Sequence, residues 1–154
     1  KMRIGNKNFD LENDCYIMGI LNFTPDSFSD GGRWNDMDSA LHHVAEMLRD
    51  GAAIIDIGGE STRPGHIRIT EDEEIARIIP VIEAVKERFD IPVSIDSYKG
   101  SVVEAALAAG ADMVNDIWGF KYDETVAAAT AKYEVPVCLM HNRDDKVYQS
   151  GWMI

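Results

Sequence analysis

Along this chain, carboxylates, carboxamides and one imidazole stand at or beside the ends of apolar, β-branched runs: Asn22, Asp56, Asp96, the pair Asn115-Asp116, and His141. Such runs read as buried strands. A parallel strand that delivers polar groups at its carboxyl end is how barrel and doubly wound enzymes build their sites. Two carboxylates and two carboxamides suit a neutral or cationic nitrogen heterocycle. Carboxylates accept from ring N–H and amino groups, and a carboxamide offers a donor and an acceptor together. Asn22 could instead ligate a hard cation through its carbonyl oxygen, with Asp30 or Asp26 beside it.

The stretch Ile54–Gly65 concentrates this pattern. It opens as a strand bearing Asp56 and breaks into Gly58-Gly59-Glu60-Ser61-Thr62-Arg63-Pro64-Gly65. The glycines permit close backbone approach to a ligand, the hydroxyls and Arg63 offer donors, and Pro64 stiffens the exit. The bland alternative is an ordinary loop with Gly and Pro as turn residues. A second long polar loop, Phe23–Gly32, carries Phe28, which would make an aromatic lid or tuck into the core. The adjacent His42 and His43 lie mid-helix without a ligand-spaced partner and read as bland surface residues.

The elements that must position these groups alternate. Residues 2–11 read as a β-hairpin, and Tyr16–Leu21 as a fully buried strand. Asn35 or Asp36 caps a helix to about Asp50, and Gly51 stops it. Thr70 and Glu73 form a capping box for a helix with the stripe Ile75, Ile78, Ile79, Ile82 and Val85, which Pro80 should kink or restart. Ile91–Asp96 is the third strand; Ser101 and Glu104 cap the next helix, through Ala109. Ala111–Asp116 is the fourth strand, Asp123 caps a helix to about Tyr133, and Val135–Met140 is the fifth strand. Strand alternating with helix, every strand apolar enough to be buried on both faces, predicts a parallel α/β sheet. Polar strand ends without a phosphate-binding glycine fingerprint after the first strand favour part of a (β/α)₈ barrel over a doubly wound sheet.

The 154 residues suffice for one domain with a substantial core. Fifteen basic against 27 acidic residues give a net charge of −12 at pH 7, which disfavours nucleic acid as a partner. An anionic substrate must then be held by local donors against the global field. No apolar run long enough for a membrane span and no signal-peptide h-region is visible. Cys15 and Cys138 have no metal spacing, and a reducing cytoplasm is expected.

At Gly19-Ile20-Leu21-Asn22-Phe23-Thr24-Pro25-Asp26-Ser27-Phe28-Ser29-Asp30-Gly31-Gly32, Ile55–Gly65, Ser94-Ile95-Asp96-Ser97-Tyr98-Lys99, Asn115-Asp116-Ile117-Trp118-Gly119 and Leu139-Met140-His141-Asn142-Arg143, the sequence closely resembles dihydropteroate synthase, the sulfonamide-inhibited enzyme of the folate pathway. The resemblance covers essentially the whole chain. It implies a (β/α)₈ TIM-type barrel, here about the first five βα units after a short hairpin, forming one pterin-binding domain over residues 1–154. It further implies condensation of 6-hydroxymethyl-7,8-dihydropterin diphosphate with para-aminobenzoate, assisted by Mg²⁺, in a cytoplasmic enzyme that is a homodimer at full length. Carried over by position, Asp96 and Asn115 would hold the pterin, with Asp96 stabilising its positive charge. Ile117 and Met140 would line that pocket. Asn22, with Asp30 as a second candidate, would meet Mg²⁺ or the diphosphate. Phe28, Thr62, Arg63 and Pro64 would close around para-aminobenzoate. The family pattern continues with another aspartate, a lysine and an Arg-x-His pair, none assignable here, and barrels of this type run to about 250 residues. The 154 residues alone are therefore expected to be inactive or nearly so, with two unpaired sheet edges. The rival expectations are a pterin-binding methyltransferase domain that serves a corrinoid, and a non-catalytic fragment completed by another chain.

Overall fold

The structure is a computed structural model that describes residues 1–24, 33–34, 36–60, 68–117, 119–140 and 152–153; residues 33–34, Met140 and 152–153 are described by backbone alone. A hairpin of β1 (Met2–Ile4) and β2 (Lys7–Phe9) opens the chain. It turns at Gly5, whose φ of 61° suits a residue without Cβ. There follow β3 (Ile17–Phe23), β4 (Arg33–Trp34), α1 (Met37–Arg49), β5 (Ala52–Gly58), α2 (Glu71–Arg88), β6 (Val93–Asp96), α3 (Gly100–Ala108), β7 (Met113–Asp116), α4 (Thr125–Tyr133), β8 (Val137–Met140) and β9 (Trp152–Met153).

The main sheet runs β4-β3-β5-β6-β7-β8-β9. Every pairing in it is parallel except that of β8 with β9. From β3 to β8 the long strands sit in chain order with no reversal. A doubly wound sheet needs a reversal where the chain turns back across its first strand; a TIM-type barrel does not. The order therefore decides for the (β/α)₈ class, with five long parallel strands and four intervening helices among the described residues. The two edges expected to be bare each carry a two-residue strand: β4 beside Asn22 and Phe23, and β9 beside Leu139 and Met140.

Alternation along the strands sorts the core. Leu21, Ile55, Ile57, Val93, Ile95 and Val114 face the helices and pack on Val44, Ile78, Ile82, Val85 and Val102, all fully buried. The opposite, interior face carries Met18, Ile54, Met113 and Cys138 at its amino-terminal end, where Ile4 and Phe9 of the hairpin close over them. Contrary to the expected full burial of β3, Ile17 is 63% and Ile20 56% exposed. Ile20 shares the interior face with Asp56, its register partner, above the level that the hairpin covers.

Local signals hold with three corrections. Asp36 caps α1 by accepting from Ser39 N–H at 3.2 Å, and Thr70 Oγ1 caps α2 by accepting from Glu73 N–H at 3.1 Å. Gly51 and Gly110 stop their helices with φ of 108° and 118°. The first correction is Pro80, at which α2 does not restart: the helix is continuous, and Pro80 sits on its exposed face. Pro80 leaves the carbonyl of Ala76, itself an exposed residue, without an N–H donor from position 80. The second is Ser101, which caps nothing. Its hydroxyl donates to Glu71 Oε2 at 2.7 Å, and Glu104 pairs with Lys132 instead. The start of α3 is capped from a distance by Asp123, whose Oδ2 accepts from Gly100 N–H at 2.6 Å while Oδ1 accepts from Thr125 N–H at 2.9 Å. One carboxylate thus serves two helix starts. Gly100 is obligatory there, because a Cβ would run into Thr125 Oγ1. The third concerns Asp116 and is taken up with the site. No described helix is long and apolar enough to cross a membrane.

Candidate active site at the carboxyl ends of the strands

Register places Met18, Ile20 and Asn22 of β3, Ile54, Asp56 and Gly58 of β5, Ser94 and Asp96 of β6, Met113 and Asn115 of β7, and Cys138 of β8 on the interior face. The face grades from apolar at the hairpin end to polar at the carboxyl end. Asn115 is 5% exposed and donates from Nδ2 to Oδ2 of Asp56, 2% exposed, at 3.2 Å. Strands β5 and β7 flank β6, so this bond passes across β6 between Ser94, level with Asp56, and Asp96, level with Asn115. Residues of alternate strands meeting in one layer is how a barrel interior fills.

The electrostatics follow from burial. Desolvation pushes the Asp56 carboxyl up to about 6, opposed by Ser94 and by the Asn115 amide. The Ser94 influence is one of proximity, since Ser94 Oγ has no partner with hydrogen-bond geometry. Asp96 is raised well above the usual carboxylate range, first by desolvation and then by the charges of Asp56, Glu74 and Asp116. On this face, three buried polar atoms, Asp56 Oδ1, Ser94 Oγ and Asn115 Oδ1, have no hydrogen-bond partner among the described residues. Buried polar groups are normally satisfied, so a cluster of orphans on one face marks a place for something that the protein itself does not supply. Gly58 stands beside Asp96 on this face: a Cβ there would meet Asp96 Cβ and Oδ2 at 3.4 Å, an ordinary van der Waals contact.

Residues 18–151 match the family model described as "Pterin binding enzyme". The chain belongs to the pterin-binding enzyme family. Its relatives in this family include the dihydropteroate synthase of Clostridium beijerinckii, 61% identical over 149 residues, which are 97% of this chain and 55% of that protein. A solved dihydropteroate synthase from Clostridium difficile, determined in the presence of pteroic acid, superposes with a TM-score of 0.82 at 53% identity, covering 94% of this chain and 55% of that one. The Yersinia pestis dihydropteroate synthase, solved with a sulfonamide drug complex, gives 0.82 at 46% identity over 92% of this chain and 51% of the other. The chain spans about half the length of the curated relatives that it matches.

Within this chain, Asp96 and Asn115 come together as their register requires, and Ile117 follows half-buried just past β7. Asn22 is half-buried at the end of β3, level with Gly58 and with β4. Met140 is the last residue of β8. Phe28, Asp30, Thr62, Arg63, Pro64 and His141 lie outside the described residues. Asp116 does not join the interior cluster. Alternation turns it to the helix side, where it is fully buried and accepts from Phe120 N–H at 3.0 Å to shape the turn after β7. His42 pairs with Glu46 at 2.9 Å on the exposed face of α1, the bland role expected for it.

Sequence reasoning missed a buried charge network behind the site. Lys99 Nζ lies 2.6 Å from Glu60 Oε2, donates to Ile69 O at 2.9 Å, and sits 2.9 Å from Glu74 Oε1, close enough for an ion pair without hydrogen-bond alignment. The Tyr98 hydroxyl donates to Glu60 Oε1 at 2.9 Å, and burial with that carboxylate beyond it keeps its proton on. Burial alone would lower the Lys99 ammonium; the two carboxylates reverse this and hold it above its ordinary value. Glu74 is pushed up by desolvation, only partly offset by Lys99. A signal was available: Glu74 stands four residues before Ile78 on the core-facing stripe of α2, where an acid requires a buried cation.

Proposed function

We propose that the protein acts in folate biosynthesis as a dihydropteroate synthase, joining 6-hydroxymethyl-7,8-dihydropterin diphosphate to para-aminobenzoate with release of pyrophosphate. The observation that carries this reading is the interior-face pair of Asp96 and Asn115, level with each other, with Asn115 Oδ1 buried and given no donor by the described residues. A pterin ring edge, rich in N–H and amino donors, supplies what that acceptor lacks. The reaction breaks the bond from the exocyclic methylene carbon to the diphosphate oxygen, and the bonding electrons leave with the diphosphate. The arylamine nitrogen then forms the new C–N bond and loses its proton. Positive charge grows on the pterin as the diphosphate departs. An ionised Asp96 beside the ring stabilises that charge in a recess of low dielectric. Thr62, Arg63, Pro64 and Phe28 are the groups assigned to para-aminobenzoate, and sulfonamides would compete there.

Among the described residues no group of three or more His, Cys, Asp or Glu side chains could hold a metal ion. The donor set suits Mg²⁺ that arrives with the substrate: Asn22 offers one hard oxygen at the rim, Asp30 is assigned a second, and phosphate oxygens and water provide the rest. When bound, the ion neutralises charge on the leaving diphosphate. We assign the chain one pterin-binding domain over residues 1–154, a cytoplasmic location and a homodimeric full-length form.

The test is pteroate formation from the two substrates and Mg²⁺, by the protein as its gene encodes it, with D96N alongside. Product that depends on para-aminobenzoate, with kcat reduced at least a hundredfold in D96N, supports the reading. Turnover that requires a corrinoid protein and ignores para-aminobenzoate would move the chain to the methyltransferase branch.

A further inference from the structure

The Asp56–Asn115 bond fixes something that a carboxamide alone leaves open. The Asn115 side chain has a donor end and an acceptor end of nearly equal shape, which a half-turn exchanges. An ionised carboxylate only accepts, so a carboxylate partner allows one orientation: Nδ2 toward Asp56 and Oδ1 away from it. The protein then gives Asn115 Oδ1 no donor, although the atom is buried. Nor does the packing call for an acid at position 56. Its register partners are Ile20 on β3 and the neutral Ser94 on β6, and the preceding interior residue of β5 is Ile54, so no neighbour in register supplies a cation that would require an acid there. An aspartate 2% exposed, with one oxygen unpartnered, is a poor structural element.

We propose that Asp56 is a positioning residue that locks the Asn115 carboxamide with Oδ1 toward the ligand, so that the site presents an acceptor there and selects the donating edge of a heterocycle. This deepens the pterin reading and rests on it. Asp56 acts through Asn115 and touches no reacting atom. Its burial, which lifts its carboxyl to about 6, leaves it mainly ionised at pH 8, the state in which the lock works. Ser94, level with Asp56, and Asp96, level with Asn115, bracket the bond on β6.

The test substitutes Asp56→Asn in the protein as its gene encodes it. Asparagine keeps the shape but can donate or accept, which frees Asn115 to turn. At pH 8 the dissociation constant of 6-hydroxymethylpterin, read by fluorescence, should rise at least tenfold. The KM for the pterin diphosphate should rise with it, while kcat and the KM for para-aminobenzoate stay within threefold. The melting temperature should hold or increase, because a buried charge has been removed. Unchanged pterin affinity in D56N, or a loss that merely tracks a lower melting temperature, overturns the proposal. Should D56N fail to fold, the wild-type protein decides: the side-chain NH₂ of Asn115 must show a proton protected from exchange by NMR, and a freely exchanging pair overturns the lock. Wild-type protein that binds no pterin at all would bring down the functional reading itself, a result distinct from an unaffected D56N.

Discussion

Asp96 sits where burial and the neighbouring carboxylates of Asp56, Glu74 and Asp116 all favour its neutral form. A ligand that donates to it, or gains positive charge beside it, favours the ionised form. The two preferences oppose each other, so pterin binding must expel a proton from Asp96 at any pH below the carboxyl's raised free value. Affinity should then tighten with rising pH, by up to tenfold per unit, and level off once the free carboxyl is ionised. Calorimetry in two buffers of different ionisation enthalpy should report proton release, and D96N should abolish it. Proton uptake, or binding indifferent to pH, would contradict the geometry. At this scale the sequence was informative about residue type. Asn22, Asp56, Asp96 and Asn115 are all on the interior face, and alternation alone was enough to send Asp116 to the other side. What it lacked was depth: Asp56 lies two residues before the end of β5, inside the barrel rather than on its rim.

At the scale of elements, long-range side-chain contacts replace the local rules. Asp123 holds the starts of α3 and α4 together, so Asp123→Ala should cost roughly 2 kcal/mol, more than a single cap would. Chemical denaturation measures this; a loss no larger than that of an ordinary surface substitution would mean that the two caps are dispensable. Lys99 is the stronger case. It binds Glu60 where β5 ends, Ile69 O just before α2, and Glu74 within α2. Lys99→Met removes the cation beside buried Glu74 and should cost about 3–5 kcal/mol at pH 8. The sign of its pH dependence follows. Glu74 already has a folded value raised by desolvation and in the variant loses the offset from Lys99, so its burial is tolerated at low pH and penalised as pH rises through the folded value. The gap to wild type should narrow on acidification and after adding E74Q; a gap that stays constant would assign the loss to packing. Neither contact was legible in the sequence, because Glu60 and Lys99 are separated by 39 residues and meet only once the strands pair. Thr70, Asp36, Gly51 and Gly110 were legible because their signals act within a few residues. Pro80 misled for the complementary reason: its effect depends on which face of α2 it occupies.

For the molecule as a whole, the hairpin decides whether the interior face is sealed at its amino-terminal end. Its existence could be read from two short apolar runs around Gly5, but what it covers depends on how the strands curve, which no local pattern specifies. Ile4 and Phe9 lie against Ile54, Met113 and Cys138, and Lys7 and Asn6 tie the hairpin to Asp90 beside α2. Cys138 reports on this seal. Burial, with Asp56 nearby, lifts its thiol to about 11, so at pH 8 only about one molecule in a thousand carries the reactive thiolate, and the thiol is also covered. Cys15 is free and exposed. An aromatic disulfide reagent at pH 8 should therefore consume thiols in two separated phases, the first from Cys15 and the second limited by opening of the floor. Phe9→Ala removes the largest side chain of the hairpin from this cluster at a cost of about 3–4 kcal/mol. It should accelerate the second phase by tenfold or more and leave the first unchanged. Simultaneous reaction of both thiols in the wild type would show the floor open. A second phase that Phe9→Ala does not alter would show that Cys138 is reached from the carboxyl end, through the recess that holds Asp96 and Asn115.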